Sequence, residues 1–313
     1  MNDRFNGLLQ EKANIISRID LIPYDGSPEI KESGANKYLY IRKRIGSKLT
    51  STYVDVFSDE LYELLVKQSK ELRELKKRLR HVEKELVKLG YSRNDLDSKV
   101  IFNLDYARAN MKQIIYDQAI LEGVSTTFFQ TETIIENGTV NGMKVDDIQK
   151  ILNLKHAWEF ILDKDLLSYP SNLDVLSHIA KVVNEGFYDN GGKLRGVPVK
   201  IGGSTYIPDL PIEVDVKNDI SRIINKRKDI ASKAIELCLY CMKKQIFIDG
   251  NKRASVIFTN HYLISHGAGL LAVPFNLVPE FRELLVAYYE NRDGGKATEF
   301  LLKKCFLKIE HNI

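Results

Sequence analysis

The chain has 313 residues, of which 44% are hydrophobic, and its 46 Lys and Arg against 42 Asp and Glu leave a net charge of +4. That length suits about two domains with a sizeable core, and so small and evenly spread a charge gives no electrostatic footprint for nucleic acid. Three cysteines without a disulfide framework suit a reducing cytoplasm, and the absence of a signal-peptide pattern or an apolar run of spanning length predicts no membrane association.

Residues 1–94 are expected to form an N-terminal region of a small β-hairpin and a long heptad helix. Lys37 to Phe57 alternates residue classes around Gly46-Ser47 and predicts two antiparallel strands. Ser58 is placed to cap a helix whose first turn carries Asp59 and Glu60. Within it Leu61, Leu65, Gln68, Leu72, Leu75, Leu79, Val82, Leu86 and Leu89 alternate spacings of four and three until Gly90, a heptad seam broken only by Gln68. A second helix over 95–122 follows a short polar turn. The seam 61–89 then pairs either with that helix, as an antiparallel hairpin, or with a partner helix or a second copy in a homodimer. The basic run Arg42-Lys43-Arg44 beside Tyr38, Tyr40 and Tyr53 reads as a solvated hairpin face, so nucleic-acid contact is not expected. On periodicity and charge, 1–94 is a partner-binding or target-positioning arm.

Residues 95–313 are expected to be mainly α. Val197, Val199 and Ile201 alternate before Gly202-Gly203, and Tyr206-Ile207-Pro208 follows, which predicts a β-hairpin over 197–208. Apolar residues at helical spacing run from about Asn218 to Lys244, and again from Lys252 to Leu263. Between them lies Gln245-Ile-Phe-Ile-Asp-Gly-Asn-Lys-Arg253. A tight loop entering a helix turns backbone N–H groups outward together, which suits phosphate. Gly250 permits a positive φ, Asp249 can hold Mg²⁺, and Asn251, Lys252 and Arg253 can donate to phosphate oxygens. Cys238-x-x-Cys241 sits inside a helical pattern with no second pair, so core packing is expected rather than zinc or redox chemistry. Cys305 lies among apolar residues, and His261 is two turns beyond the loop.

These residues resemble the Fic/Doc (Fido) family motif His-x-Phe-x-Asp-(Gly/Ala)-Asn-(Gly/Lys)-Arg, matching at Phe247, Asp249, Gly250, Asn251, Lys252 and Arg253, with Gln245 in the place of His. Ile201-Gly-Gly-Ser-x-Tyr-x-Pro208 resembles the family's target-binding flap, and His178 to Gly186 resembles the helix that precedes it. The resemblance implies a helical bundle with a β-hairpin flap over about residues 125–309, ATP and Mg²⁺ as cosubstrate and cofactor, and transfer of AMP to a Ser, Thr or Tyr hydroxyl of a protein target. By the same resemblance, Asp249 binds Mg²⁺, Gly250 and Asn251 form the anion hole, Lys252 and Arg253 hold phosphates, and Ile201, Gly202, Gly203, Ser204, Thr205 and Tyr206 present the target. Gln245 stands where the general base belongs, and an amide has no protonation equilibrium near neutral pH.

The family also carries a regulatory element, (Ser/Thr)-x-x-x-Glu-(Gly/Asn), whose Glu fills the outer-phosphate site. Glu136-Asn137 within segment 131–138 is the natural candidate, although Glu132 fills the Ser/Thr slot and Val256 the place of the second Arg that such a Glu engages. A plain helix ending in an Asn-Gly turn is the alternative. Two functions stay open: an adenylyltransferase-like enzyme, weak or inactive for want of a base, and a nucleotide- or peptide-binding pseudoenzyme that regulates or adapts.

Overall fold

In the computed structural model, residues 2–34, 36–45, 48–89, 96–136 and 138–309 are described. The expected turn at Gly46-Ser47, the stop at Gly90 and the regulatory Asn137 lie outside them. The chain divides into two compact units, Met1–Ser92 and Arg93–Ile313.

The first unit opens with helix α1 (Asn2–Asp20), followed by strands β1 (Ser27–Ser33), β2 (Asn36–Ile45) and β3 (Lys48–Val56) and helix α2 (Asp59–Lys88). The predicted pair of strands is β2 and β3, and β1 extends it to an antiparallel sheet of three in the order β1-β2-β3. Leu39 and Ile41 on one face of β2 bury against Leu65, with Val54, Leu61 and Tyr62 around them. Ser58 caps α2 by accepting the Leu61 amide at 3.2 Å.

The heptad seam of α2 closes on α1, within its own unit. Leu9 and Ala13 of α1 and Leu72, Leu75, Val82 and Leu86 of α2 are all buried. Ion pairs Arg4–Glu85, Glu11–Arg78 and Arg18–Glu71 flank the contact, so positions seven apart on α1 meet positions seven apart on α2 in reverse order. That is an antiparallel coiled coil within one chain.

In the second unit the predicted helix 95–122 is two helices, α3 (Ser98–Ala109) and α4 (Met111–Leu121). Asn110 separates them at φ −105° and ψ 8°, and its side chain donates to the Tyr106 carbonyl at 2.8 Å, so it competes locally with helix continuation. Then come α5 (Phe128–Ile135), α6 (Val145–Ile161), α7 (Lys164–Leu167), α8 (Leu173–Val183), α9 (Glu213–Ile224), α10 (Ile230–Lys244) and α11 (Asn251–Ser265). A short strand β4 (Leu270–Leu271), helices α12 (Val278–Tyr289) and α13 (Lys296–Phe300), and β5 (Phe306–Leu307), which pairs antiparallel with β4, complete it. Thirteen of the fifteen residues of α11 are buried, because α11 packs against α6, α8 and α10 as the bundle's central helix. The fold is mainly α, as predicted.

Residues 197–208 carry the predicted turn but no strands. Ser204 donates its amide to the Ile201 carbonyl at 3.1 Å across Gly202-Gly203, with Gly203 at φ 78°. Pro198 and Pro208 remove two donors from any ladder between the two limbs. The flap is therefore a loop around a tight turn.

Candidate functional site

Ile246 and Phe247 are almost fully buried and drive the loop after α10 into the core, which forces the chain to reverse before α11. Two residues adopt left-handed backbone to do so. Gln245 ends α10 at φ 49° and ψ 61°, and Gly250 precedes α11 at φ 73°. A Cβ on Gly250 would stand 2.8 Å from Oδ1 and 3.0 Å from Nδ2 of Asn184, so both conformation and space demand glycine there.

Asn251 shapes the loop from within. Its Oδ1 accepts the Phe247 amide at 2.9 Å, while its Nδ2 donates to the Phe247 carbonyl at 2.8 Å and to Gln245 Oε1 at 3.2 Å. Both amide hydrogens are thereby used inside the loop. Gln245 completes the ring by donating Nε2 to the Met242 carbonyl at 2.6 Å.

No side chain caps the N-terminus of α11, leaving its first-turn amides to an external acceptor. Gln245, Asp249 and Lys252 line a cleft of about 740 Å³, with Lys200, Ile201, Gly202 and Gly203 of the flap on one side and Arg282, Glu283, Leu285, Val286 and Tyr289 of α12 on the other. The flap turn and the motif loop thus share one cavity.

Arg253 lies beneath the loop, 3% exposed. It donates to the Val183 carbonyl at 2.7 Å, to Asp249 Oδ2 at 2.9 Å and, at 3.4 Å, to Asn184 Oδ1. Asn184 in turn donates to the carbonyl of Asp249 at 2.9 Å, which ties the end of α8 to the turn. The carboxylate facing Arg253 from the third side is Glu122, 3.6 Å from Nε, and its other oxygen is 3.8 Å from Lys252 Nζ. Glu122 Oε1 and Arg253 Nε are buried without a hydrogen-bond partner. Burial holds the Tyr289 phenol above its ordinary pKa, and the nearby Glu122 charge adds to that.

Glu136 is elsewhere: it and Glu132 both pair with Lys112. The carboxylate beside Arg253 and Lys252 is therefore Glu122, the C-cap of α4 before Gly123 at φ 80°, and not Glu136. The sequence carried a signal, since Gln118-x-x-x-Glu122-Gly123 departs from the regulatory pattern only by Gln in the Ser/Thr slot. Gln118 uses its amide structurally, donating to the Arg253 carbonyl at 3.0 Å and accepting from Trp158 Nε1 at 2.9 Å.

The flap is fixed at root and tip. Arg195, 5% exposed, donates to the carbonyls of Gln245, Val197, Pro208 and Asp209 at 2.5 to 3.1 Å. At the tip, Glu290 Oε1 accepts from Ser204 Oγ at 3.1 Å and from the Thr205 amide and hydroxyl at 2.8 and 3.0 Å. Arg292 and these donors hold the Glu290 carboxyl down at a pKa of about 2.

Among the described residues the Gln245 side chain bonds the Met242 carbonyl and Asn251 Nδ2, neither of them an acid–base group. His261 is fully buried between Ser171 Oγ at 2.8 Å and the Leu166 carbonyl at 3.0 Å, and burial holds its pKa at about 4. His178 packs on Phe160, and burial lowers its pKa likewise to about 4. Burial pushes the Cys238 thiol up to about 12 and that of Cys241 well above its ordinary value, as befits core residues. Among the described residues no cluster of three or more His, Cys, Asp or Glu forms a metal cage.

Residues 170–263 match the Fic/DOC family model. A comparison with curated proteins finds no match. Among solved structures the chain is similar to a Fic-domain signaling protein from Bacteroides thetaiotaomicron, at 14% identity and a TM-score of 0.51 over 62% of this chain and 76% of that one. It is similar also to a Fic family protein from Desulfovibrio desulfuricans, at 18% identity and a TM-score of 0.52 over 62% of each chain. A Fic-1 fragment from C. elegans gives 18% identity and a TM-score of 0.54 over 79% of this chain and 74% of that one. At these identities the likeness concerns the fold, and the Fic match covers α8 to α11 with the motif loop and flap. No helix among the described residues is long and apolar enough to cross a membrane.

Proposed function

We propose that the Fic-like segment binds ATP with Mg²⁺ in the cleft between the motif loop, the flap and α12, as an adenylyltransferase-like site whose transfer is weak or absent. The observation that carries this reading is the uncapped N-terminus of α11, entered through Gly250 and opening beside Asp249 and Lys252 into the cavity that the flap turn lines. The first-turn amides take the α-phosphate. Lys252, 33% exposed, and Arg253 beneath it, through the Nε left without a hydrogen-bond partner, take the outer phosphates.

The donor set fits Mg²⁺. Asp249, half-exposed in the motif loop, faces the cleft, with Glu283 of α12 on the other side, and Mg²⁺ commonly takes one or two protein carboxylates with the rest of its shell from phosphate and water. Bound there, the ion would neutralise charge developing on the transferred phosphoryl group. Asp249 would supply one oxygen, and its bond to Arg253 would orient it.

Transfer is limited by position 245. The Gln245 carboxamide is held by Met242 and Asn251 and carries no titratable proton. Loss of a positioned general base removes roughly 10²- to 10⁴-fold of rate, although positioning and charge neutralisation can sustain a remainder. The same held geometry supports the second reading, a nucleotide-binding pseudoenzyme. Glu122, in this proposal, competes with the outer phosphates for Arg253 and Lys252. A protein target docks by strand addition on the flap, and residues 1–94 serve as a partner-binding or positioning arm.

Calorimetric titration with Mg-ATP tests the reading. Saturable heat that Lys252→Ala weakens supports it, and an absence of heat for the parent protein overturns it.

A further inference from the structure

Arg195 stands out as a buried guanidinium whose hydrogen-bond partners are all main-chain carbonyls. Burying a guanidinium costs several kcal/mol unless its donors are met, and four donors are met here at 2.5 to 3.1 Å. Those acceptors lie in three separate stretches: Gln245 in the motif loop, Val197 at the first root of the flap, and Pro208 and Asp209 at the second. The Arg195 amide adds a bond to the Ile246 carbonyl at 3.0 Å. Its approach is set by Gly191 and Gly192, where a Cβ would meet Asn184 Cβ and the Ser177 carbonyl at 2.4 Å each, pressing the preceding turn onto α8.

An apolar side chain could fill such a site without that desolvation cost. A lysine could keep the charge but not the planar fork that spans carbonyls in different directions. What arginine alone supplies is a fixed relation between loop and flap. We propose that Arg195 is a positioning residue that couples the motif loop to both roots of the flap, so that a nucleotide seated on the loop also sets where a target strand is presented. This rests on the reading of the cleft as a nucleotide site and of 197–208 as the target flap.

The mechanical consequence is specific. The tip is latched separately by Glu290, so cutting the Arg195 clamp frees the roots while leaving the tip bond and the helical core. Hydrogen–deuterium exchange on the full chain separates these effects, with Arg195→Lys and Arg195→Met compared with the parent, each with and without Mg-ATP. In both variants the amides of 199–204 should exchange roughly tenfold faster than in the parent while those of α8, α10 and α11 stay protected, as expected of a local opening. Mg-ATP should slow flap exchange in the parent, and in Arg195→Lys it should still bind but no longer slow the flap.

Unchanged flap exchange in both variants would overturn the clamp. So would equal loss of protection throughout α8, α10 and α11, which would make Arg195 a general stabiliser. If the parent binds no Mg-ATP, the nucleotide reading of the cleft fails and the nucleotide coupling with it, whereas the comparison without nucleotide still decides whether Arg195 holds the flap.

Discussion

The Glu122 carboxylate lies 3.6 Å from Arg253 Nε and makes no hydrogen bond to it, so two buried charges face each other loosely at the place where outer phosphates would compete for the same cation. Glu122→Gly should therefore raise Mg-ATP affinity by about tenfold, equivalent to about 1.4 kcal/mol. Glu136→Gly should leave affinity unchanged, because that carboxylate is committed to Lys112. Calorimetry on the two variants side by side checks this, and equal effects would remove Glu122 from the regulatory role.

Gln245→His introduces a titratable group at a position whose left-handed backbone histidine tolerates better than most residues. Self-labelling by α-labelled ATP should rise by roughly 10²-fold or more over the parent. Labelling that stays at the parent level would favour the binding-module reading over a dormant enzyme.

Asn251→Ala removes three hydrogen bonds and leaves the main chain of Phe247 unpaired in a buried loop. Unsatisfied buried groups of this kind cost roughly 1–3 kcal/mol each, so a loss of about 2–4 kcal/mol is expected in urea denaturation of the Fic-like unit. A loss below about 0.5 kcal/mol would mean that the loop is shaped by Gly250 and Phe247 alone.

His178 and His261 are both held near pKa 4 against an ordinary 6.5, because burial disfavours the imidazolium. A lowered folded-state value means that the stability these groups contribute is complete above pH 6.5 and is lost as pH falls from there through about 4. Each contributes a slope of up to about 1.4 kcal/mol per pH unit in that window. Denaturation curves at pH 7, 6 and 5 should show the decline, and a stability that stays flat across this range would contradict the burial of both rings.

What could be read from sequence and what could not divides along contact range. Ser58, the α2 seam and the run from Gln245 to Arg253 are local patterns, each written in consecutive residues at a fixed period or spacing. The partner of the seam was not legible, because α1 was identifiable only by what it packs against: three ion pairs link positions dozens of residues apart. The carboxylate beside Arg253 was not legible for a related reason. Glu136 and Glu122 both end helices before a glycine-containing turn, and only the packing of α4 on α11 through Gln118 and the Arg253 carbonyl tells them apart. Arg195 carried no periodic signal at all, since its role lies in carbonyls supplied by three other stretches of chain. The flap was expected as a hairpin because alternation dominated the reading, while Pro198 and Pro208 had already withdrawn the donors that a ladder requires.

Trp158 is the single tryptophan of the chain, fully buried, and its indole N–H reaches the Arg253 carbonyl through one intervening residue, Gln118. The protein thus contains its own optical reporter, wired to the first turn of α11. Any occupant that shifts that turn should register in the intrinsic fluorescence, without a label being introduced.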